Sequence, residues 1–374
     1  MRVLHFFKTY WPDTFGGVER TIHAIAKGTA PLGVQTDVLS LSREPDLNTV
    51  LFEGHWAHKA KLNLEVASTG FSLEAFGRFR ALAAEADIVH YHFPWPFMDM
   101  VHFASRLNKP TLVTYHSDIV KQKGLLTLYR PLMRAFLGSV DRIVPTSPNY
   151  LQSSLDLSDF KDKCTVIPIG LDRASCAPAS EAKKAEWRRK LPETFFLFVG
   201  VLRYYKGLHI LIDAAKRTGL PVAIVGAGPM EAELKQQAER LGAGNVFFLG
   251  ALDDEDKSAL LELSYATVFP SHLRSEAFGL SLVEASMFAK PMITCEVGSG
   301  TSYVNLDGTT GIVTAPDDAG ALAEAMTKLA GDPAQAAAFG QAALARYEAL
   351  FTIDRMCAAY AELYGELLSR TRRK

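Results

Sequence analysis

The chain has little cysteine: four in 374 residues, Cys164, Cys176, Cys295 and Cys357, with no CxxC pair and no histidine at zinc-ligand spacing. That excludes a disulfide scaffold and a zinc-ribbon site, and the expectation is buried thiols in a reducing compartment. No apolar run approaches the ~18 residues that a spanning helix needs, so any membrane contact is expected to be peripheral. An excess of one charge sign is missing as well. Forty Lys and Arg stand against 41 Asp and Glu, a net charge of −1, so nothing draws the chain as a whole to nucleic acid. The opening Met1-Arg-Val-Leu-His-Phe-Phe has neither the length nor the cleavage site of a signal peptide and reads as a strand, which points to the cytoplasm. No internal repeat is visible.

What is present is ordinary globular composition, 48% hydrophobic and 22% charged, in a chain long enough for two domains. Short apolar strands alternate with helical stretches. In the first half they are Val3–Phe7, Gln35–Ser40, Ile88–His92, Thr111–Tyr115, Arg142–Thr146 and Cys164–Ile167. The pattern restarts at Phe195–Gly200, Val222–Val225, Val246–Phe248, Thr267–Phe269 and Pro291–Thr294. Alternation of this kind predicts an α/β chain with parallel sheets flanked by helices. The polar stretch Leu171–Pro192 reads as the linker. Two Rossmann-like domains follow, residues 1–175 and 193–351, with ligands expected at the carboxyl ends of the strands.

The segment Ser271–Ala285 carries the most chemistry. Glu276 and Glu284 stand eight positions apart, with Gly279 opening an apolar helical run between them. Glu276 then lies in a loop at a helix N-terminus and Glu284 about a turn and a half inside the helix. The free amides of Phe278, Gly279 and Leu280 form an anion site there. A diphosphate with a sugar on each side suits it, each carboxylate accepting hydrogen bonds from hydroxyls. After the strand at Phe195, Arg203 and Lys206 sit in a strand-to-helix turn, where cations meet a phosphate. A lysine at a helix start opposes the dipole, which also favours a bound anion. Gly16-Gly17 allows close backbone approach to a ligand. His116 ends a strand, followed by Asp118. His90 and His92 share one face of a strand, without a legible third metal ligand. Asp253–Asp256 precedes a helix and reads as its cap, and Val225-Gly-Ala-Gly-Pro229 lacks the third glycine of a dinucleotide fingerprint.

With Gly16–Arg20, Thr114–Asp118, the Arg203/Lys206 pair, Val225–Pro229 and Glu276–Glu284 in order along nearly the whole length, the chain resembles the family 4 retaining glycosyltransferases of the GT-B fold. His5–Asp13 and Gly298–Asn305 look most like bacterial O-antigen mannosyl- and rhamnosyltransferases that use GDP-sugars. The resemblance implies two Rossmann-like domains facing each other across a cleft, with residues 352–370 returning to the first. It implies transfer of mannose or D-rhamnose from a GDP-sugar to a glycan, with a polyprenyl-diphosphate-linked intermediate as acceptor, and no cofactor or metal. Arg203, Lys206 and Glu276 would act on the donor with His116, which contacts the donor sugar. Gly16, Gly17, Phe278, Gly279, Leu280 and Glu284 would bind the nucleotide-sugar, and Asp118 and His92 the acceptor. The family usually has arginine directly after the strand glycine, where this chain has Val201, so Arg203 must supply the guanidinium. A nucleotide-sugar-binding or epimerase-like protein, or a transferase using a UDP-sugar, is the alternative. Lys121, Lys123, Arg130 and Arg134, interleaved with Leu125, Leu126, Leu128, Leu132 and Phe136, would dock the protein on the cytoplasmic leaflet of the inner membrane.

Overall fold

Ile88–Phe93 (IVHYHF) is buried along its whole length, the pattern of a parallel strand covered on both faces. In the computed structural model, which describes residues 1–14, 16–45, 49–66, 69–119 and 123–371, strands of this kind build two large sheets. Lys121 and the side chains of Lys123 and Leu125 lie outside the described residues. The chain divides into two units, Met1–Gly170 with Ile353–Lys374, and Leu171–Thr352.

The first unit contains β1 (Arg2–Phe6), β2 (Gln35–Ser42), β3 (Thr49–Phe52), β4 (His55–Lys61), a small hairpin of β5 (Leu64–Val66) and β6 (Thr69–Phe71), β7 (Ile88–Phe93), β8 (Thr111–Tyr115) and β9 (Arg142–Pro145). The order across its large sheet is β3-β4-β2-β1-β7-β8-β9, parallel except for β3. The second unit holds β10 (Phe196–Val199), β11 (Val222–Val225), β12 (Val246–Gly250), β13 (Ala266–Phe269), β14 (Met292–Cys295) and β15 (Gly311–Thr314). Its order is β12-β11-β10-β13-β14-β15. Each sheet, leaving β3 aside, runs third-second-first-fourth-fifth-sixth, the doubly wound order with its switch point between the first and fourth strands. That point lies between β1 and β7 in one unit and between β10 and β13 in the other.

Three expectations are corrected. Cys164–Ile167 is not a strand. The Thr165 and Ile167 amides do donate to Ile143 and Pro145, but a single bridge forms, and Pro168, with no N–H, ends the ladder. Leu171–Pro192 is not a free linker. Its helix Glu181–Lys190 buries Trp187, whose indole donates to Asp256 at 2.9 Å. Ala179 and Leu191 are buried with it, and Lys183 and Lys184 pair with Asp256 and Glu262 at 2.8 Å each. Of the cysteines, Cys295 and Cys357 are buried, while Cys164 and Cys176 are partly exposed. The last helix, Ile353–Thr371, belongs to the first unit. Among the described residues no helix is long and apolar enough to cross a membrane.

Candidate functional site

In the second unit, the loops leaving β10 and β13 meet at the switch point. β10 leads into Arg203 and the 3-10 turn Tyr204–Lys206, and β13 leads into Ser271–Gly279. Gly207, at φ +70°, makes the approach feasible, since a Cβ there would lie 2.0 Å from the Pro270 carbonyl oxygen. The contact brings Lys206 Nζ to 2.5 Å from Glu276 Oε2, with both residues buried. Ser271 Oγ also faces that carboxylate oxygen, at 3.5 Å, and the ammonium lies 4.4 Å from the centre of the Phe269 ring. Arg203 is exposed, and its guanidinium makes no ion pair or hydrogen bond to another described residue.

The helix Leu280–Met287 starts where the motif predicted, after Gly279 at φ +88°, and no side chain caps it. The amides of Phe278, Gly279 and Leu280 donate to no described residue. Their N–H groups and the helix dipole therefore remain available to an anion. Glu284 is half-buried on this helix. The loop Gly298–Thr301 is seated against the same segment. The Gly300 amide donates to the Ala277 carbonyl at 2.8 Å, and a Cβ on Gly300 would lie 2.7 Å from Phe278 Cδ2. Arg274 Nη1 donates to the Gly298 carbonyl at 2.6 Å.

Two neighbouring motifs serve the fold. A Cβ on Gly226 would lie 1.9 Å from the Gly200 oxygen, and one on Gly228 2.6 Å from the Leu202 oxygen. These glycines are needed because the β10 and β11 loops touch. Pro229 does not begin the next helix, which runs Glu231–Leu241 behind Met230. Asp253 Oδ1 accepts from the Asp256 amide at 2.8 Å and caps Asp254–Leu263. Sequence reasoning missed His272. Its Nδ1 pairs with the Asp317 carboxylate, and its Nε2 donates to the Tyr204 carbonyl at 3.0 Å, holding the Arg203–Lys206 turn.

In the first unit, Gly16 and Gly17 begin the helix Gly17–Thr29 after the loop that leaves β1. Buried Glu19 organises that loop, its Oε1 accepting from Thr9 and Thr14 Oγ1 at 2.8 Å each. A Cβ at position 16 would approach Glu19 Oε2 to 3.0 Å, tight enough that the carboxylate would have to shift by a few tenths of an ångström. His116 follows β8, and its amide donates to the Phe93 carbonyl at 3.1 Å. Its Nε2 stands 3.0 Å from His92 Nδ1, so these two predicted residues come together. Burial lowers the His116 pKa to about 3, keeping the ring neutral at ordinary pH. Asp118 is held within the fold, accepting from Tyr115 Oη at 2.9 Å and Ser154 Oγ at 2.7 Å.

The missing third ligand beside His90 and His92 exists. It is His5, placed by the parallel register His5↔His90, and the three offer ligand atoms within 4.8 Å of one another. Five of the six ring nitrogens, however, already have partners. His90 contacts Tyr364 Oη (2.8 Å) and Thr114 Oγ1 (2.7 Å), His92 contacts His116 and His5, and only His5 Nε2 is unpartnered among the described residues. In this structure the cluster forms a hydrogen-bonded network. On the helix Lys123–Ser139, Arg130 and Arg134 pair with Asp156 and Asp159, and Phe136 is buried. Leu128 on the same helix is exposed, and Leu126 and Leu132 are half-buried.

Comparison with known proteins gives the same division. Residues 15–175 match the family described as Glycosyltransferase Family 4, and residues 179–346 match Glycosyl transferases group 1. The chain is 56% identical to D-rhamnosyltransferase WbpZ of Pseudomonas aeruginosa, over 94% of this chain and 92% of that one. It is 50% identical to O-antigen chain mannosyltransferase C of Escherichia coli, over 98% and 99% respectively. Among solved structures, the sucrose-phosphate synthase of Thermosynechococcus elongatus superposes with a TM-score of 0.82 at 22% identity, covering 99% of each chain.

Proposed function

The chain belongs to the family 4 glycosyltransferases of the GT-B fold, and from that membership we propose that it transfers a mannosyl or D-rhamnosyl group from a GDP-sugar to a glycan of O-antigen type, with retention at the anomeric carbon. The observation that carries this reading is identity above half to a D-rhamnosyltransferase and at half to a mannosyltransferase, across nearly the whole of all three chains. The two sugars differ only in the oxygen at C6. The acceptor in such a reaction rides on a polyprenyl diphosphate, which puts the chain in the cytoplasm in peripheral contact with the inner leaflet.

The second unit supports leaving-group electrostatics. Charge accumulates on the β-phosphate as the glycosidic bond breaks. The Arg203 guanidinium, the Lys206 ammonium and the amides of Phe278–Leu280 surround the place where that charge develops. Losing one pre-aimed donor of this kind costs roughly 10²–10³ in rate. Glu284 would hold the ribose and Glu276 the donor-sugar hydroxyls. Gly16 and Gly17 would cover the diphosphate, and His116 would face the sugar. His92 has both ring nitrogens occupied, so its part is to support His116, and Asp118 is left as an acceptor contact. These cations and amides neutralise a diphosphate themselves, and we assign no divalent metal and no cofactor to the reaction. Thermal shift against GDP, UDP and ADP tests the donor. GDP should raise the melting temperature most, and a larger rise with UDP would move the reading to a UDP-sugar transferase.

A further inference from the structure

Beneath His116 a one-way chain of imidazoles runs into the interior of the first unit. His116 Nε2 faces His92 Nδ1 at 3.0 Å, and His92 Nε2 faces His5 Nδ1 at 2.9 Å. His5 and His92 are fully buried, and His116 is 7% exposed. The rings stack along the chain, with His92–His116 centroids 5.3 Å apart and His5–His92 centroids 5.2 Å apart. Burial holds His5 and His116 down to about 3 and His92 well below the usual histidine range. All three are neutral near neutral pH, with one N–H and one lone pair each.

That constraint leaves two proton arrangements. His92 has a single hydrogen, so it donates to one neighbour and accepts from the other. If His116 donates through Nε2, then His92 donates to His5 and the last hydrogen sits on His5 Nε2. If His5 donates through Nδ1, then His92 donates to His116 and the hydrogen of His116 sits on Nδ1. His5 Nε2 decides between them, because it is buried with no partner among the described residues. The first arrangement strands a buried N–H, the rarest kind of unsatisfied group. The second leaves only an unused lone pair. His116 Nδ1, at the other end, makes no hydrogen bond to a described residue and is not sealed from solvent as His5 Nε2 is. His90 leaves the choice alone, since its ring nitrogens meet the Tyr364 and Thr114 hydroxyls, which serve as donor or acceptor.

We propose that His5 and His92 are positioning residues that lock His116 in its Nδ1–H tautomer, making the histidine at the mouth of the chain an obligate hydrogen-bond donor and not a base. A donor at Nδ1 fits a lone pair on a substrate hydroxyl or ring oxygen and cannot take the acceptor's proton. The consequence for sugar binding rests on the reading of His116 as a donor-sugar contact, while the tautomer does not.

The test is a long-range proton–nitrogen NMR spectrum of the full chain with 15N-labelled histidine, near neutral pH and without ligand. The expected result is a protonated Nδ1 and a bare Nε2 on His116, His92 and His5 alike. A bare Nδ1 on His116 overturns the proposal, and so does a mixed population. In His5→Asp, a carboxylate that only accepts stands where the terminal donor was, so His92 turns to donate to it through Nε2 and accepts from His116 through Nδ1. The expected result is a His116 signal moving to the Nε2–H form, with kcat falling about tenfold or more and KM for the nucleotide-sugar nearly unchanged. An unchanged His116 tautomer in that variant would show that His5 does not set it. The wild-type spectrum decides the first point even if the variant fails to fold. If the tautomer is as stated and His116→Ala transfers sugar at the wild-type rate, the chain stands and the assignment of His116 to the sugar fails.

Discussion

At the residue scale the Lys206–Glu276 pair changes how each is understood. Both were legible in the sequence, because each lies in a contiguous motif beside a glycine. Their contact, 70 positions apart, was not. The ammonium meant for the phosphate is already neutralised at 2.5 Å by the carboxylate meant for the sugar. An incoming diphosphate must draw Lys206 from that partner or share it, and the carboxylate so released is then free for hydroxyls. Each single substitution also leaves the other charge buried and unpaired. Lys206→Met should therefore cost about 3 kcal/mol of stability as well as GDP affinity, and urea unfolding with and without GDP separates the two losses. The histidine chain was hidden for the same reason. His5 and His92 sit on β1 and β7 and His116 follows β8, and only the registers of β1 against β7 and of β7 against β8 join them. Their pKa values carry a pH prediction. With the folded values near 3 for His5 and His116, below the ordinary 6.5, the unfolded state binds more protons in between. Stability should then fall as pH drops below about 6.5, each such histidine adding a slope of about 1.4 kcal/mol per pH unit until the folded value is reached. The urea midpoint between pH 6.5 and 5 should decline, and less steeply in a folded His5→Phe variant. Equal slopes would contradict the buried neutral assignment.

At the element scale the glycines separate into those that end a helix and those that let two loops touch. Gly219 and Gly207 have nearly the same φ, +69° and +70°. Around Gly219 a Cβ would meet nothing within 4 Å, while at Gly207 it would strike the Pro270 oxygen. Gly219→Ala should cost about 1 kcal/mol for the left-handed backbone alone. Gly207→Ala should cost about 3 kcal/mol or more and also lower GDP affinity, because it pushes the Lys206 turn away from the Glu276 loop. Chemical denaturation and calorimetric titration of the two variants measure the contrast, and similar losses would show that the loop contact does not matter. The sequence revealed the parallel strands other than β4 and β15, since continuous apolar runs have few other readings. It hid β3 and β4. Their two-residue turn is Glu53-Gly54 with both φ positive, and glutamate is a rare choice for the first of those positions. Exposed Leu51 and Trp56 blur the alternation further.

At the scale of the whole molecule, two doubly wound sheets place the donor-site candidates of the second unit on the loops after β10 and β13 and on the helix Leu280–Met287 that follows β13. Sequence order alone gave that placement, because the switch-point rule needs only strand identity and the doubly wound pattern. The docking of Trp187 was beyond it, since one apolar residue among charges gives no periodic signal. Turnover should survive EDTA, because the diphosphate finds its counter-charge in Arg203, Lys206 and the amides at Gly279. Loss of activity in EDTA with recovery on adding Mg²⁺ or Mn²⁺ would contradict this. The central claim is that these residues release GDP from a GDP-hexose as the sugar passes to a glycan. The direct measurement is GDP formation by the purified protein from GDP-mannose and GDP-D-rhamnose, with a lipid-linked O-antigen intermediate and without it, beside Arg203→Ala. The account predicts acceptor-dependent GDP release with a glycosylated product, slowed roughly 10²-fold or more in the variant. No release from either GDP-sugar alongside ready release from a UDP-sugar, or an Arg203→Ala rate equal to wild type, would contradict it.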